Sequence, residues 1–228
     1  MRIPGFFLFS LSLVSVSLFG QTAARAPFVR ATGQATVSVK PDQAQIDFSV
    51  VTQATTAQDA SNQNAMRVST LLSQLQALLG VNANIKTVNY SLTPNYNYPQ
   101  NGGIPTLTGY TATNTVRATT TDLTIVGQII DTGVQAGANQ VSSLQFGLQN
   151  DQPTKLQALR TATAQAKAHA DAMATGGGMH TGSYNSIQEV VAVQTVNGTI
   201  ATPAVTTPIV TGLVDVQATV TVDVDLVP

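Results

Sequence analysis

From Val214 to Leu226 the chain alternates without a break, and that pattern constrains the fold more than any other stretch. Val214, Val216, Ala218, Val220, Val222, Val224 and Leu226 fill the even positions. Asp215, Gln217, Thr219, Thr221, Asp223 and Asp225 fill the odd ones. On a helix the even positions would scatter around the axis, whereas on a strand they fall on one face. The segment is therefore an extended strand with one dry and one wet face, roughly 40 Å long at about 3.3 Å per residue. Something apolar must cover that dry face. Val220→Asp or Val222→Asp is expected to bury a charge, while Asp223→Asn, on the wet face, is expected to cost no more than about 0.5 kcal/mol.

Other segments share the period. Ala35, Val37 and Val39 alternate with polar residues before Pro41-Asp42, and Ala44, Ile46, Phe48 and Val50 alternate after it, predicting a β-hairpin with one buried face. Val88, Tyr90 and Leu92 lead into the turn-rich run Pro94 to Gly103, and Tyr110, Ala112, Val116 and Ala118 return. Tyr90 and Tyr110 share the parity of a core face. Leu144, Phe146 and Leu148 form a short strand, and residues 182–196 are the expected partner of the C-terminal strand.

Helical spacing separates these strands. Val68, Leu71, Leu72, Leu75, Leu78 and Leu79 make one stripe on a helix over 56–79, stopped by Gly80. Asp122 caps a second helix whose stripe is Leu123, Val126, Ile129, Ile130 and Val134. Asp151 caps a third, with Leu156, Leu159, Ala162, Ala166, Ala170 and Met173 on one side and three glycines at its end. The order ββα, ββα, β, α, ββ defines an α+β protein with mainly antiparallel sheets built from hairpins, packed by one long and two further amphipathic helices. A β-barrel porin would lack the helices and would want aromatic girdles, yet there is no Trp.

Arg2 followed by the apolar run Phe6 to Phe19 and small residues through Ala26 has the layout of a secretory signal peptide, with cleavage expected after a position between 20 and 26. The run is shorter than the roughly 20 residues that span a bilayer. Residues 27–228 then form the mature domain, or two intertwined subdomains, with no transmembrane segment. Only 9% of residues are charged. Removing Arg2 and Arg25 leaves eight cations against eleven acids, a net charge near −3 that argues against a nucleic-acid partner. With no cysteine, thiol chemistry, disulfides and Cys-ligated zinc are excluded.

Candidate chemistry is sparse. His169 and His180 are the two histidines, and with Glu189 they are the weak candidates for a two-His-one-carboxylate metal site. No HxxxH or HExxH spacing supports that site. Asp215, Asp223 and Asp225 read as residues that keep a valine-rich strand soluble and guard its edge. The triple glycine at 176–178 follows a helix and lacks the Lys-Ser or Lys-Thr of a phosphate loop. No G-x-S-x-G elbow is present, and Asn197-Gly198-Thr199 reads as a turn. Catalytic and cofactor-binding residues are therefore expected to be none. Tyr96 and Tyr98, in the Pro/Gly/Asn-rich loop, are the candidates for a contact surface between subunits.

In order along the chain, ATGQATVSVKPDQAQIDFSV, NIKTVNYSLTPNY, LTGYTATNTVRA, DLTIVGQIIDTGVQAGANQVSSLQF, ALRTATAQAKAHADAMA and GSYNSIQE resemble the SIMPL-domain family, which includes bacterial periplasmic immunogenic proteins. The resemblance spans residues 30–226 and departs from the family at TGGGMHT (175–181), where members usually continue the helix into a Leu-Gly-type turn. It implies an exported, periplasmic or envelope-associated α+β protein without a known catalytic mechanism, with an oligomeric habit and a link to oxidative stress. The expectation is a non-enzymatic envelope protein that self-associates and binds partners. The alternative is a metal- or small-ligand-dependent activity near His169, His180 and Glu189.

Overall fold

A computed structural model describes residues 26–80, 83–100, 102–200 and 209–228. The expected signal segment, apart from Ala26, lies outside the described residues. In chain order the elements are β1 (Phe28–Val39), β2 (Gln43–Ala54), α1 (Ala57–Leu79), β3 (Asn84–Asn97), β4 (Thr106–Thr120), α2 (Val126–Gln135), β5 (Gln140–Gly147), α3 (Gln152–Gly176), β6 (His180–Gln194), β7 (Val196–Asn197), β8 (Thr199–Ile200), β9 (Ile209–Val210) and β10 (Val214–Val227). A 3-10 turn, Leu123–Ile125, leads into α2. The strands form a sheet of order β1-β10-β6, a second of order β3-β4-β2-β5-β7, and the ribbon β8-β9. Every pairing is antiparallel. This is the α+β class expected from the sequence.

The alternating segment, β10, lies in the middle of its sheet. It pairs with β1 from Phe28↔Asp225 to Val39↔Val214 and with β6 from Asp215↔Gln194 to Val227↔His180. The dry face is buried as predicted, with Val214, Val216, Ala218, Val220, Val222 and Val224 all at most 2% exposed. The edge-guard reading of the three aspartates is corrected, because a central strand has no edge to guard. Asp223 is instead buried and receives two hydrogen bonds from Arg30 of β1, at 2.6 and 2.8 Å, plus one from Ser186 of β6 at 3.0 Å. One carboxylate thus fastens three strands. The second sheet repeats the device: Arg117 of β4 donates twice to Asp47 of β2, directly opposite, at 2.7 Å. Bidentate charge-assisted bonds of this kind fix register as well as adding energy.

The expected β1–β2 hairpin is also corrected. Both segments are strands, but they belong to different sheets, and Pro41-Asp42 is the corner between them. The chain from β2 to β5 forms one unit, with α1 and α2 against its sheet around Phe48, Leu71, Leu75, Ile129 and Phe146. β1, α3, β6 and β10 form the other, around the valines of β10 and the alanines of α3. The first unit is nested within the second. At the join, the Asp42 N–H donates to Gly147 O at 3.1 Å and the Gln149 N–H donates to the Asp42 carboxylate at 2.6 Å.

The long helix α1 matches its prediction. Thr56 caps it by accepting from the Asp59 N–H at 3.1 Å, Val68, Leu71 and Leu75 are buried, and Gly80 ends it at φ +87°. In α2, Val134 is corrected from buried stripe to 51% exposed, and Asp122 caps the preceding 3-10 turn through Thr124. In α3 the buried row is Ala158, Ala162, Ala166, Ala170 and Ala174, a strict four-residue repeat. Leu156 and Met173 are exposed, which corrects their place in the stripe. Asp151 makes no capping bond but pairs with Lys155 at 2.8 Å. Methyl-only packing lets α3 lie directly on β1, so closely that a Cβ on Gly33 would stand 2.1 Å from Ala162 O.

Candidate interaction surfaces

The three metal candidates are not brought together. His169, on α3, has its Nδ1 2.8 Å from Thr32 O of β1, which orients the ring toward backbone. His180 begins β6 opposite Val227, and Glu189 stands opposite Val220 on the same strand. Nine residues of strand put those two roughly 30 Å apart, far beyond a shared coordination sphere. Among the described residues no three His, Asp or Glu side chains are grouped to hold a metal ion. At 175–181 the geometry is simple: α3 runs to Gly176, Gly178 turns at φ +72°, and β6 follows. There the Asp171 carboxylate accepts from Lys167 at 2.7 Å and from the Thr181 hydroxyl at 2.6 Å, which holds its pKa below the usual carboxylate value.

Tyr96 and Tyr98 sit on a projecting arm. β2 stops at Ala54, paired with Tyr110, while β3 and β4 continue pairing through Asn95↔Gly109, Tyr96↔Leu107 and Asn97↔Thr106. Beyond β2 the hairpin is thus a ribbon of two strands, with no third strand beside it among the described residues. Asn95 ties its two strands together: its side-chain amide donates to Thr111 Oγ1 at 2.8 Å, and its backbone carbonyl accepts from Thr108 Oγ1 at 3.0 Å. The two tyrosine rings tilt against each other with centroids 6.3 Å apart.

The arm is apolar and open to solvent. Tyr98 is 70% exposed and Ile104 86%, and Leu92, Tyr96 and Leu107 are exposed beside them. Sequence reasoning missed Ile104 and Leu107. The signal was available, because no charged residue occurs between Val88 and Val116. Tyr90 is corrected from core to surface: it is 49% exposed, and its hydroxyl is 2.5 Å from Ser61 Oγ on α1. Its parity is kept: across the ladder Tyr90 stands opposite Asn114, between the buried Ala112 and Val116 on the α1-facing side, but β3 is the edge strand of its sheet and leaves the ring half open.

Two antiparallel sheets, one unit nested in another, with open apolar surface, define a class of α+β protein. The comparisons are more specific. The family model SIMPL, described as a protein of unknown function (DUF541), matches residues 29–224, and the chain belongs to that family. It is 28% identical over 186 residues to the 26 kDa periplasmic immunogenic protein of Brucella melitensis, covering 79% of this chain and 74% of that protein. It is 28% identical over 162 residues to the uncharacterized protein YggE of Edwardsiella ictaluri, covering 71% and 67%. With YggE of Escherichia coli strain K12 it shares 29% identity over 150 residues, covering 66% and 60%. No helix among the described residues is long and apolar enough to cross a membrane.

Proposed function

We propose that this chain is an exported, periplasmic, non-enzymatic envelope protein that self-associates and scaffolds partners, with Tyr96 and Tyr98 at a subunit contact. The observation that carries the reading is the arm: a two-stranded projection, free of charge from Val88 to Val116, that exposes aromatic and aliphatic side chains together. Such side chains are enriched where interfaces bury their centres. A chain with 9% charged residues also has weak electrostatic protection against association. Export is supported by the N-terminal sequence pattern and by a Brucella relative named as periplasmic. The resemblance to the family extends the reading to oxidative-stress tolerance.

Native mass spectrometry of the mature protein tests the assembly. The wild type is expected to form a homo-oligomer at micromolar concentration, and Tyr96→Ser with Tyr98→Ser is expected to lower its mass while leaving circular dichroism unchanged. A monomeric wild type would refute self-association, and an unchanged mass in the double variant would remove the arm from the contact. N-terminal sequencing of exported protein should begin between Gln21 and Pro27.

A further inference from the structure

A second surface lies on the opposite unit. α3 covers β1 and β10 but leaves the outer part of β6 bare, and a groove of about 430 Å³ opens along the helix flank, where Tyr184 is the one lining residue from that strand. Leu156, Leu159, Ala164 and Tyr184 supply its apolar lining, and Arg160 and Lys167, two helical turns apart, supply its cations. Along the groove, β6 pairs only with β10, so the backbone groups of its outer edge have no strand partner among the described residues. The other long edges are protected. β3 carries Lys86, Pro94 and a bulge at Val88, and β1 is overlain by α3. β6 has register shifts on either side of Tyr184, then runs regularly from Ser186 to Gln194 with neither proline nor lysine and with Glu189 as its one charge.

We propose that this groove binds an extended polypeptide segment, which adds to the edge of β6 as a further strand, places alternate apolar side chains against Leu156 and Tyr184, and presents a carboxylate to Arg160. Three observations converge on that occupant. An unpaired strand edge recognises another extended backbone, and the groove beside it selects alternate side chains. Leu156 and Tyr184 are each 42% exposed, too open for a site that must enclose a small ligand. The neighbouring charges also favour an acid. Lys155 is paired with Asp151 at 2.8 Å and Lys167 with Asp171 at 2.7 Å, whereas Arg160 has no ion pair or hydrogen bond among the described residues. Glu189 lies five residues along β6 from Tyr184, roughly 16 Å, outside the lining of the groove. The proposal deepens the scaffold reading, on which it rests, but it requires no self-association.

The test uses the mature protein and a fluorescein-labelled peptide, Thr-Val-Thr-Val-Thr-Val-Asp, with a version ending in Lys as its counterpart. Fluorescence anisotropy should show saturable binding that prefers the Asp peptide. Leu156→Asp, at an exposed position, should fold with an unchanged melting curve yet bind about tenfold or more weakly. Arg160→Glu should reverse the preference toward the Lys peptide. No saturable binding, or full affinity in both variants, would overturn the proposal. So would displacement of the peptide by oleate at lower concentration, or binding that disappears as the native mass rises, since a second copy would then occupy the groove. Native mass recorded on the same samples separates this failure from failure of self-association, because a monomer that binds the peptide retains the groove.

Discussion

Single residues decide how closely the layers of this protein approach. Gly33 has ordinary strand geometry, and its requirement is space: an added Cβ would lie 2.1 Å from Ala162 O and 2.4 Å from Ala166 N, both rigid helix backbone. Gly33→Ala should therefore push α3 off β1 and cost about 1–3 kcal/mol, as overpacking does elsewhere, which a denaturant midpoint will measure. Asp223 also departs from its sequence expectation. Its position on the wet face made Asp223→Asn look neutral, but the carboxylate is buried between Arg30 and Ser186. Asp223→Asn should lower the midpoint more than Asp225→Asn and less than Val222→Asp, which puts a charge at a fully buried position. Equal midpoints for the two asparagine variants would remove the three-strand fastening role.

Elements were legible where one period ran undisturbed. The β10 valines and the α1 leucine stripe were recovered because burial follows spacing when one face meets one core. Pairing was legible only in part. Nothing in the alternation around Pro41-Asp42 distinguishes a hairpin from a corner, since both want a tight turn between strands, and the choice is made by distant partners, β10 for β1 and β4 for β2. Strand order likewise decided Tyr90, whose parity is that of the core face but whose strand, β3, is the sheet edge. The candidate arm was half visible, through its tyrosines, whereas the β6 groove depends on which strand α3 leaves uncovered. The end of α3 makes a prediction at this scale. Hydrogen bonds from Lys167 and Thr181 lower the Asp171 pKa, so this tether is fully present above the ordinary carboxylate pKa of about 4 and is lost as pH falls through the lower folded value. Amide exchange around Met173 to Thr181, corrected for its intrinsic rate, should quicken below that range, and Asp171→Asn should remove the pH dependence.

For the whole molecule, the nesting of one unit within another determines how it comes apart. Each unit has its own buried cluster, one around Phe48 and Phe146 and the other around the β10 valines and α3 alanines. Among the described residues the connections are the Asp42–Gly147–Gln149 corner and the segment after β6, where β7 pairs with β5 through Phe146↔Val196, the Gly198 N–H donates to Leu144 O at 3.0 Å and Ile209 packs against the inner core. Cooperative units of this kind open with separate free energies when few interactions cross between them. Phe48→Ala removes a fully buried ring from the inner unit and should cost about 3–5 kcal/mol there. Hydrogen exchange should then rise in β2, β4 and α1 while the protection of β10 and α3 stays near wild type. Val220→Ala should produce the reverse pattern, because its side chain belongs to the outer cluster. If either substitution lowers protection uniformly across both sheets, the two cores act as one cooperative body and the corner transmits more than its two hydrogen bonds suggest. Asp42→Ala decides between the two behaviours at the joint itself: with independent units it should speed exchange at Gln149 and leave both cores protected.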